Sequence, residues 1–186
     1  MRCLRAASLL VLLSGCGSSP PVHFFTLDPV SVTASAVHRI SAPVQVGAVH
    51  IPRTLDRRGM VTQGRPDRLV ISEQNRWGAP LADLVTTVLT QDLVQRLSPD
   101  SVVLPEAAAP AGTRVIGLDI LQFGPDAAGD VILDASWNLT PYGSDTPLFT
   151  RHVLLRAPAE AGSYAAQARG MSGLLGQLAD AMADAL

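Results

Sequence analysis

The chain has 186 residues, with 14 basic and 16 acidic side chains and a formal charge of −2, and every basic residue is arginine. Without lysine there is no Walker-type phosphate loop and no Schiff-base chemistry. The near-neutral charge, with two Trp, two Tyr and four Phe, argues against a nucleic-acid binder, and the length fits one domain that holds its core without disulfide or metal.

Arg2 and Arg5 precede a short apolar run from Ala6 to Leu13, and Leu13-Ser14-Gly15-Cys16 follows. This is the layout of a secretory signal, far short of the roughly 20 apolar residues that span a bilayer. Leu-Ser-Gly-Cys resembles a bacterial lipoprotein box, which implies cleavage before Cys16 and acylation of its sulfur. Residues 1–15 are therefore expected to be a signal peptide, 16–22 a lipidated cysteine with a short tether, and 23–186 the folded domain. Cys3 leaves with the signal, so the mature chain keeps one cysteine, its thiol occupied, and forms no internal disulfide. Loss of Arg2 and Arg5 takes the formal charge from −2 to −4. Two acyl chains suffice for stable anchoring. Gly17 rather than Asp after the cysteine implies, for lipoproteins of double-membraned bacteria, release to the outer membrane. The tether from Cys16 to Val22 reaches at most about 25 Å, which holds the body near its leaflet.

The body reads as one α/β domain. Phe24 to Leu27 fits a short strand, and Val44 to Ile51 a second whose apolar phase slips near Gly47, the mark of a bulge or of burial on both faces. Met60 to Gln63 and Arg68 to Ser72 are two short strand candidates inside a basic stretch, Arg53 to Arg76, where six arginines meet only Asp56, Asp67 and Glu73. Such a loop suits phospholipid headgroups or an acidic partner, or is an ordinary solvated hairpin. Leu81, Val85, Leu89, Leu93 and Leu97 form an i+4 ladder, an amphipathic helix with Pro80 in its first turn and Pro99 as its stop. Val102 to Leu104 and Val115 to Phe123 follow as strands. Val131, Leu133, Ala135, Trp137 and Leu139 alternate with Asp134, Ser136, Asn138 and Thr140, a strand with one buried face. Leu148 to Ala157 is the last strand, with Gly124-Pro125 and Tyr142-Gly143 as hairpin turns. Met171, Leu174, Leu175, Leu178, Met182 and Leu186 share one sector of a closing helix, whose Gly170, Gly173 and Gly176 require packing to hold it. The expected architecture is a single-domain α/β fold: a mixed β-sheet covered by helices, with antiparallel hairpins in the C-terminal half.

Sites for chemistry are absent from the pattern. His23, His38, His50 and His152 lack zinc-site spacing. Gly170-Met171-Ser172-Gly173 lacks the last glycine of a nucleophile elbow and lies inside a helical pattern. Asp130 and Asp134 could mimic paired carboxylates but fit a wet strand face better. No cofactor is implied, and an enzyme is not expected.

The order Phe24-Phe25-Thr26-Leu27, Val49-His50-Ile51-Pro52 with Leu55-Asp56-Arg57, Arg76-Trp77-Gly78-Ala79-Pro80-Leu81, and Asp130-Val131-Ile132-Leu133 with Trp137, set behind the lipoprotein box, resembles the auxiliary lipoproteins of ABC-type transport, the PqiC-like group. Gly78 departs from the alanine of that pattern. The resemblance implies a nonenzymatic outer-membrane lipoprotein beside MCE-type lipid transport machinery, docked to the periplasmic MCE-domain protein or to a second copy of itself. Arg57, Arg58, Trp77 and Leu81 are the expected contact residues, since Arg and Trp commonly anchor interfaces, although Trp77 also suits an inward-packing helix start. A periplasmic lipid-binding carrier and an outer-membrane or peptidoglycan assembly scaffold stay open as alternatives, and a hydrolase is the weakest of them.

Overall fold

Alternating burial along the strands places the core on one side of a sheet. In the computed structural model, which describes residues 20–31, 37–65, 67–160 and 162–186, the described residues form eight strands and two helices. The expected signal peptide, Cys16 and the start of the expected tether lie outside the described residues.

The larger sheet has five strands, β2 (Val44–His50), β5 (Val102–Val103), β6 (Arg114–Pro125), β7 (Val131–Pro141) and β8 (Phe149–Ala157), in the order β5-β2-β6-β7-β8. Its β5–β2 and β2–β6 pairs are parallel and its β6–β7 and β7–β8 pairs antiparallel. The register slips between Val46 and Val49, so the phase change at Gly47 is a bulge. Helices α1 (Leu81–Arg96) and α2 (Tyr164–Ala183) pack on each other and cover one face of this sheet. Val131, Leu133, Ala135, Trp137 and Leu139 of β7 are all buried there, against Leu174, Leu175 and Leu178 in the same core. The other face is open and carries Asp119, Ser136 and His152 in one transverse row.

The remaining strands, β1 (His23–Phe25), β3 (Gly59–Arg65) and β4 (Arg68–Trp77), form a second sheet in the order β1-β4-β3. Alternation within a strand carries no label for its partner, so the sequence pattern did not separate this sheet from the larger one. β3 and β4 are an antiparallel hairpin, whereas β1 runs parallel to β4 with His23 opposite Asn75 and Phe25 opposite Trp77.

Several boundaries differ from the sequence reading, among them β1, which ends at Phe25 rather than Leu27, and β4, which runs on to Trp77 rather than Ser72. The closing helix, whose start the apolar sector from Met171 onward did not mark, begins at Tyr164, where Ser163 caps it: its Oγ accepts the Ala166 N–H at 3.2 Å. The β6–β7 turn lies at residues 126–130, while Gly124 and Pro125 still pair with Ile132 and Val131. Asp126 makes this turn, its Oδ1 accepting the N–H groups of Ala128, Gly129 and Asp130 at 2.8, 3.0 and 3.1 Å.

Beyond β1 the chain crosses the seam between the two helices. The Asp28 N–H donates to Ser172 Oγ at 3.1 Å, and the Val30 N–H donates to Asp92 Oδ1 at 2.8 Å. Two helix glycines serve this close packing: a Cβ at Gly170 would come within 2.9 Å of Val131 Cγ2, and one at Gly176 within 3.0 Å of Val30 Cβ. Tertiary packing thus offsets the helix propensity these glycines give up.

Candidate docking site

The segment after β2 turns sharply at Pro52. Its carbonyl accepts the N–H groups of Leu55 at 2.8 Å and Asp56 at 3.2 Å, and the Arg57 N–H returns to the Leu55 carbonyl at 2.8 Å. One backbone bond docks the segment just after this turn beside the end of the small sheet, the Trp77 N–H donating to the Arg58 carbonyl, and the Gly78 N–H donates to the Phe25 carbonyl at the end of β1, each at 2.8 Å. The result is a cleft of about 390 Å³ lined by Phe24, Asp56, Arg57, Arg58 and the Trp77–Pro80 segment.

Three of the four residues nominated from sequence therefore meet in one place. Arg57 and Arg58 are exposed and, among the described residues, form no ion pair; Arg57 reaches only the Arg53 carbonyl, at 3.5 Å. Trp77 is 5 % exposed, its body packed inward while it still borders the cleft, and Leu81 at 2 % lies beneath in the core. Phe24, 69 % exposed, was not singled out as a contact residue. Its signal was an aromatic pair in so short a strand, where adjacent side chains must face opposite ways.

Gly78 has ordinary space around it, with the nearest atom to an added Cβ being the Phe25 carbonyl oxygen at 3.5 Å. Gly78→Ala is accordingly expected to raise stability by about 0.4–1 kcal/mol by restricting the unfolded chain, read as a higher midpoint in denaturant titration.

The histidines take partners outside this cleft. His50 Nδ1 lies 2.8 Å from Asp119 Oδ1, and His152 Nε2 lies 2.6 Å from Asp134 Oδ1, both on the open sheet face. Asp130 sits 3.9 Å from Arg156, which holds Asp126 at 2.9 Å. No group of three or more His, Cys, Asp or Glu suited to a metal occurs among the described residues. Ser172 of the Gly-Met-Ser-Gly run is a structural tie, donating to the Ala168 carbonyl at 2.9 Å while accepting from Asp28.

One buried charge cluster escaped the sequence reading. Asp92 is fully buried, with Arg96 Nη1 3.4 Å from its Oδ1, and Arg96 Nε donates to Asp180 Oδ1 at 2.6 Å. Asp92 Oδ2 has no hydrogen-bond partner among the described residues. Burial dominates its environment and raises its pKa above the ordinary carboxylate value, against the lowering effects of the Val30 N–H and Arg96. The spacing did hold a signal, since Asp92 and Arg96 continue the i+3/i+4 stripe of Val85, Val88 and Leu89.

The fold has relatives. A protein of unassigned function, known from a crystal structure, shares 18 % identity at a TM-score of 0.72, over 89 % of this chain and 99 % of its own. A Xanthomonas campestris protein of family DUF330 shares 14 % identity at a TM-score of 0.73, over 87 % of this chain and 93 % of its own. Comparison with curated proteins gives no match. At such identities the likeness is one of fold. The sequence itself is more specific: residues 25–183, which take in the arginine pair, Trp77 and both helices, match the family described as the ABC-type transport auxiliary lipoprotein component, and the chain belongs to that family.

Proposed function

We propose that the protein is the outer-membrane-anchored lipoprotein subunit of an MCE/ABC-type lipid transport system, which docks to the periplasmic MCE-domain component and performs no chemistry itself. The membership that spans residues 25–183 carries this reading. A lipoprotein component of an ABC-type transporter is membrane-anchored and has a transporter as its partner. The finer assignment adds the lipoprotein box at Cys16 and the cleft of Arg57 and Arg58. Moving a phospholipid through water costs about 0.8 kcal/mol per exposed methylene, so a conduit between membranes needs a fixed seat at the receiving leaflet. A tethered body with two guanidiniums that form no ion pair among the described residues and an exposed aromatic ring suits such a seat, since Arg and aromatic residues concentrate interface energy.

Detergent extraction and affinity purification of the native lipoprotein is expected to recover the MCE-domain protein and its ATPase. The double variant Arg57→Ala/Arg58→Ala is expected to lose about tenfold or more in that association, the cost of truncating one strong interface anchor. Its thermal midpoint should stay unchanged, because both side chains are exposed. Recovery of peptidoglycan-synthesis machinery in place of the transporter would overturn the proposal. The carrier reading has one observation behind it, an apolar groove of about 230 Å³ bordered by Leu55, Leu69, Leu121 and Phe123. Phospholipid co-purifying with the detergent-free protein in native mass spectrometry would favour it.

A further inference from the structure

The longest run of exposed apolar side chains lies on the β3–β4 hairpin, at the end of β4 opposite Trp77. Leu69, Val70 and Ile71 are 49 %, 43 % and 46 % exposed. Being successive strand residues, they face opposite sides, so both sides of the hairpin keep apolar surface in solvent there, although Leu69 also borders the groove toward Leu121 and Phe123. β1 lies beside β4 only from Asn75 to Trp77, which leaves the β4 edge from Arg68 to Gln74 with no strand neighbour among the described residues. An apolar edge of this kind is a liability in water.

The direction of the chain tells what lies beside it. Because β1 runs parallel to β4, with His23 opposite Asn75, the chain preceding His23 heads toward the start of β4, where Arg65 and Arg68 close the hairpin. The strand from Asn75 back to Arg68 and the tether from His23 back to Cys16 have the same number of residues, and each spans about 23 Å when extended. Val22, 40 % exposed, continues the apolar strip along this path.

We infer that the β3–β4 hairpin rests in the headgroup layer of the phospholipid leaflet that holds the Cys16 anchor, with Leu69, Val70 and Ile71 at the acyl boundary and Arg68 on lipid phosphates. The inference rests on the lipoprotein-box reading of Cys16. Charge supports this occupant: Arg65 and Arg68 outnumber Asp67 at the hairpin end, and a guanidinium matches phosphate geometry with paired hydrogen bonds. The backbone is compatible as well. β3 satisfies one edge of β4, and the other meets hydrated headgroups rather than hydrocarbon, where unpaired peptide groups would not be tolerated.

The single cysteine of the mature chain allows a direct test. The chain from Cys16 onward is coupled to a maleimide-bearing phospholipid in phosphatidylethanolamine/phosphatidylglycerol vesicles, and amide hydrogen exchange at residues 67–74 is compared with that of the same chain capped by a soluble maleimide. Exchange at the outward-facing amides is expected to slow about tenfold on the vesicle. The variant Leu69→Asp/Ile71→Asp should lose the slowing while coupling and thermal midpoint stay as in the parent. Unchanged exchange on the vesicle overturns the proposal. So does slowing that appears without vesicles and grows with protein concentration, since that result gives the edge to a second copy of the chain. The chemical coupling supplies the anchor, so failure here is separate from failure of the lipoprotein-box reading, which the intact mass of the native amino terminus decides.

Discussion

Arg96→Ala is expected to destabilise the fold by about 3–5 kcal/mol, because it removes the cation from a carboxylate that has no access to water. Asp92 would keep only the Val30 N–H, and its Oδ2 is already without a partner among the described residues. Asp180 loses less, since its side chain is 57 % exposed and rehydrates. For a chain of this length the change corresponds to a fall in melting temperature of about 10 °C. Asp92→Asn separates charge from shape. The amide oxygen can still accept the Val30 N–H, and one of two like charges around Arg96 is gone, so the expected cost is below about 1 kcal/mol. A variant Asp92→Asn as damaging as Arg96→Ala would sink this account. The same pair fixes a pH signature. With its native pKa raised, Asp92 holds its proton in the folded state at pH values where the unfolded chain has released it. Its contribution is fully present below the unfolded value and is lost as pH rises through the native one, so this group favours folding on acidification, opposite to a salt-bridged carboxylate. Subtracting the pH–stability curve of Asp92→Asn from that of the parent should reveal that limb.

Trp137→Ala is expected to cost a comparable amount, about 3–5 kcal/mol, by opening a cavity beneath the centre of the five-stranded sheet. Trp137 is 1 % exposed and meets Phe149 edge-on, with ring centroids 5.2 Å apart and planes at 83°. Arg151 in turn stands 5.3 Å over the Phe149 ring. Trp137→Phe should cost well under half as much. It keeps an aromatic body and removes an indole N–H that is buried without an acceptor among the described residues. Guanidinium titrations of the two variants against the parent decide the point, and equal losses would mean that the N–H has an acceptor after all.

Much of this architecture is written in local periodicity. The two-residue alternation of β7 and the i+4 ladder of α1 each identify an element and its buried face from the chain alone. Where period is weak, the reading fails for a reason that can be named. The first turns of α2 hold Ala165, Ala166 and Ala168, good helix formers with no apolar phase, so only the Ser163 cap reveals where the helix starts. The Asp126 turn was masked by the neighbouring Gly124-Pro125 pair, although an aspartate two residues ahead of small residues is itself a turn signal. Pairing of strands distant in sequence, and hence the split into two sheets, depends on packing that no local window contains. At the cleft, Arg57, Arg58 and Trp77, named from the resemblance and from residue type, line one surface, but the inward position of Leu81 follows from its place on the helical ladder rather than from its nearness to Trp77 in sequence.

The attachment of the leading segment has a mechanical consequence. Tension on that segment, directed back along β4, loads the β1–β4 ladder in shear, so its bonds must yield together rather than one by one. Behind the ladder stand the ties of Asp28 to Ser172 and Val30 to Asp92, which fasten the same strand of chain to both helices. A pull on the body therefore meets the whole core before it can peel the leader away. In the proposed suspension from a lipidated Cys16, load entering at His23 would thus be shared by the small sheet and both helices before any one of them yields.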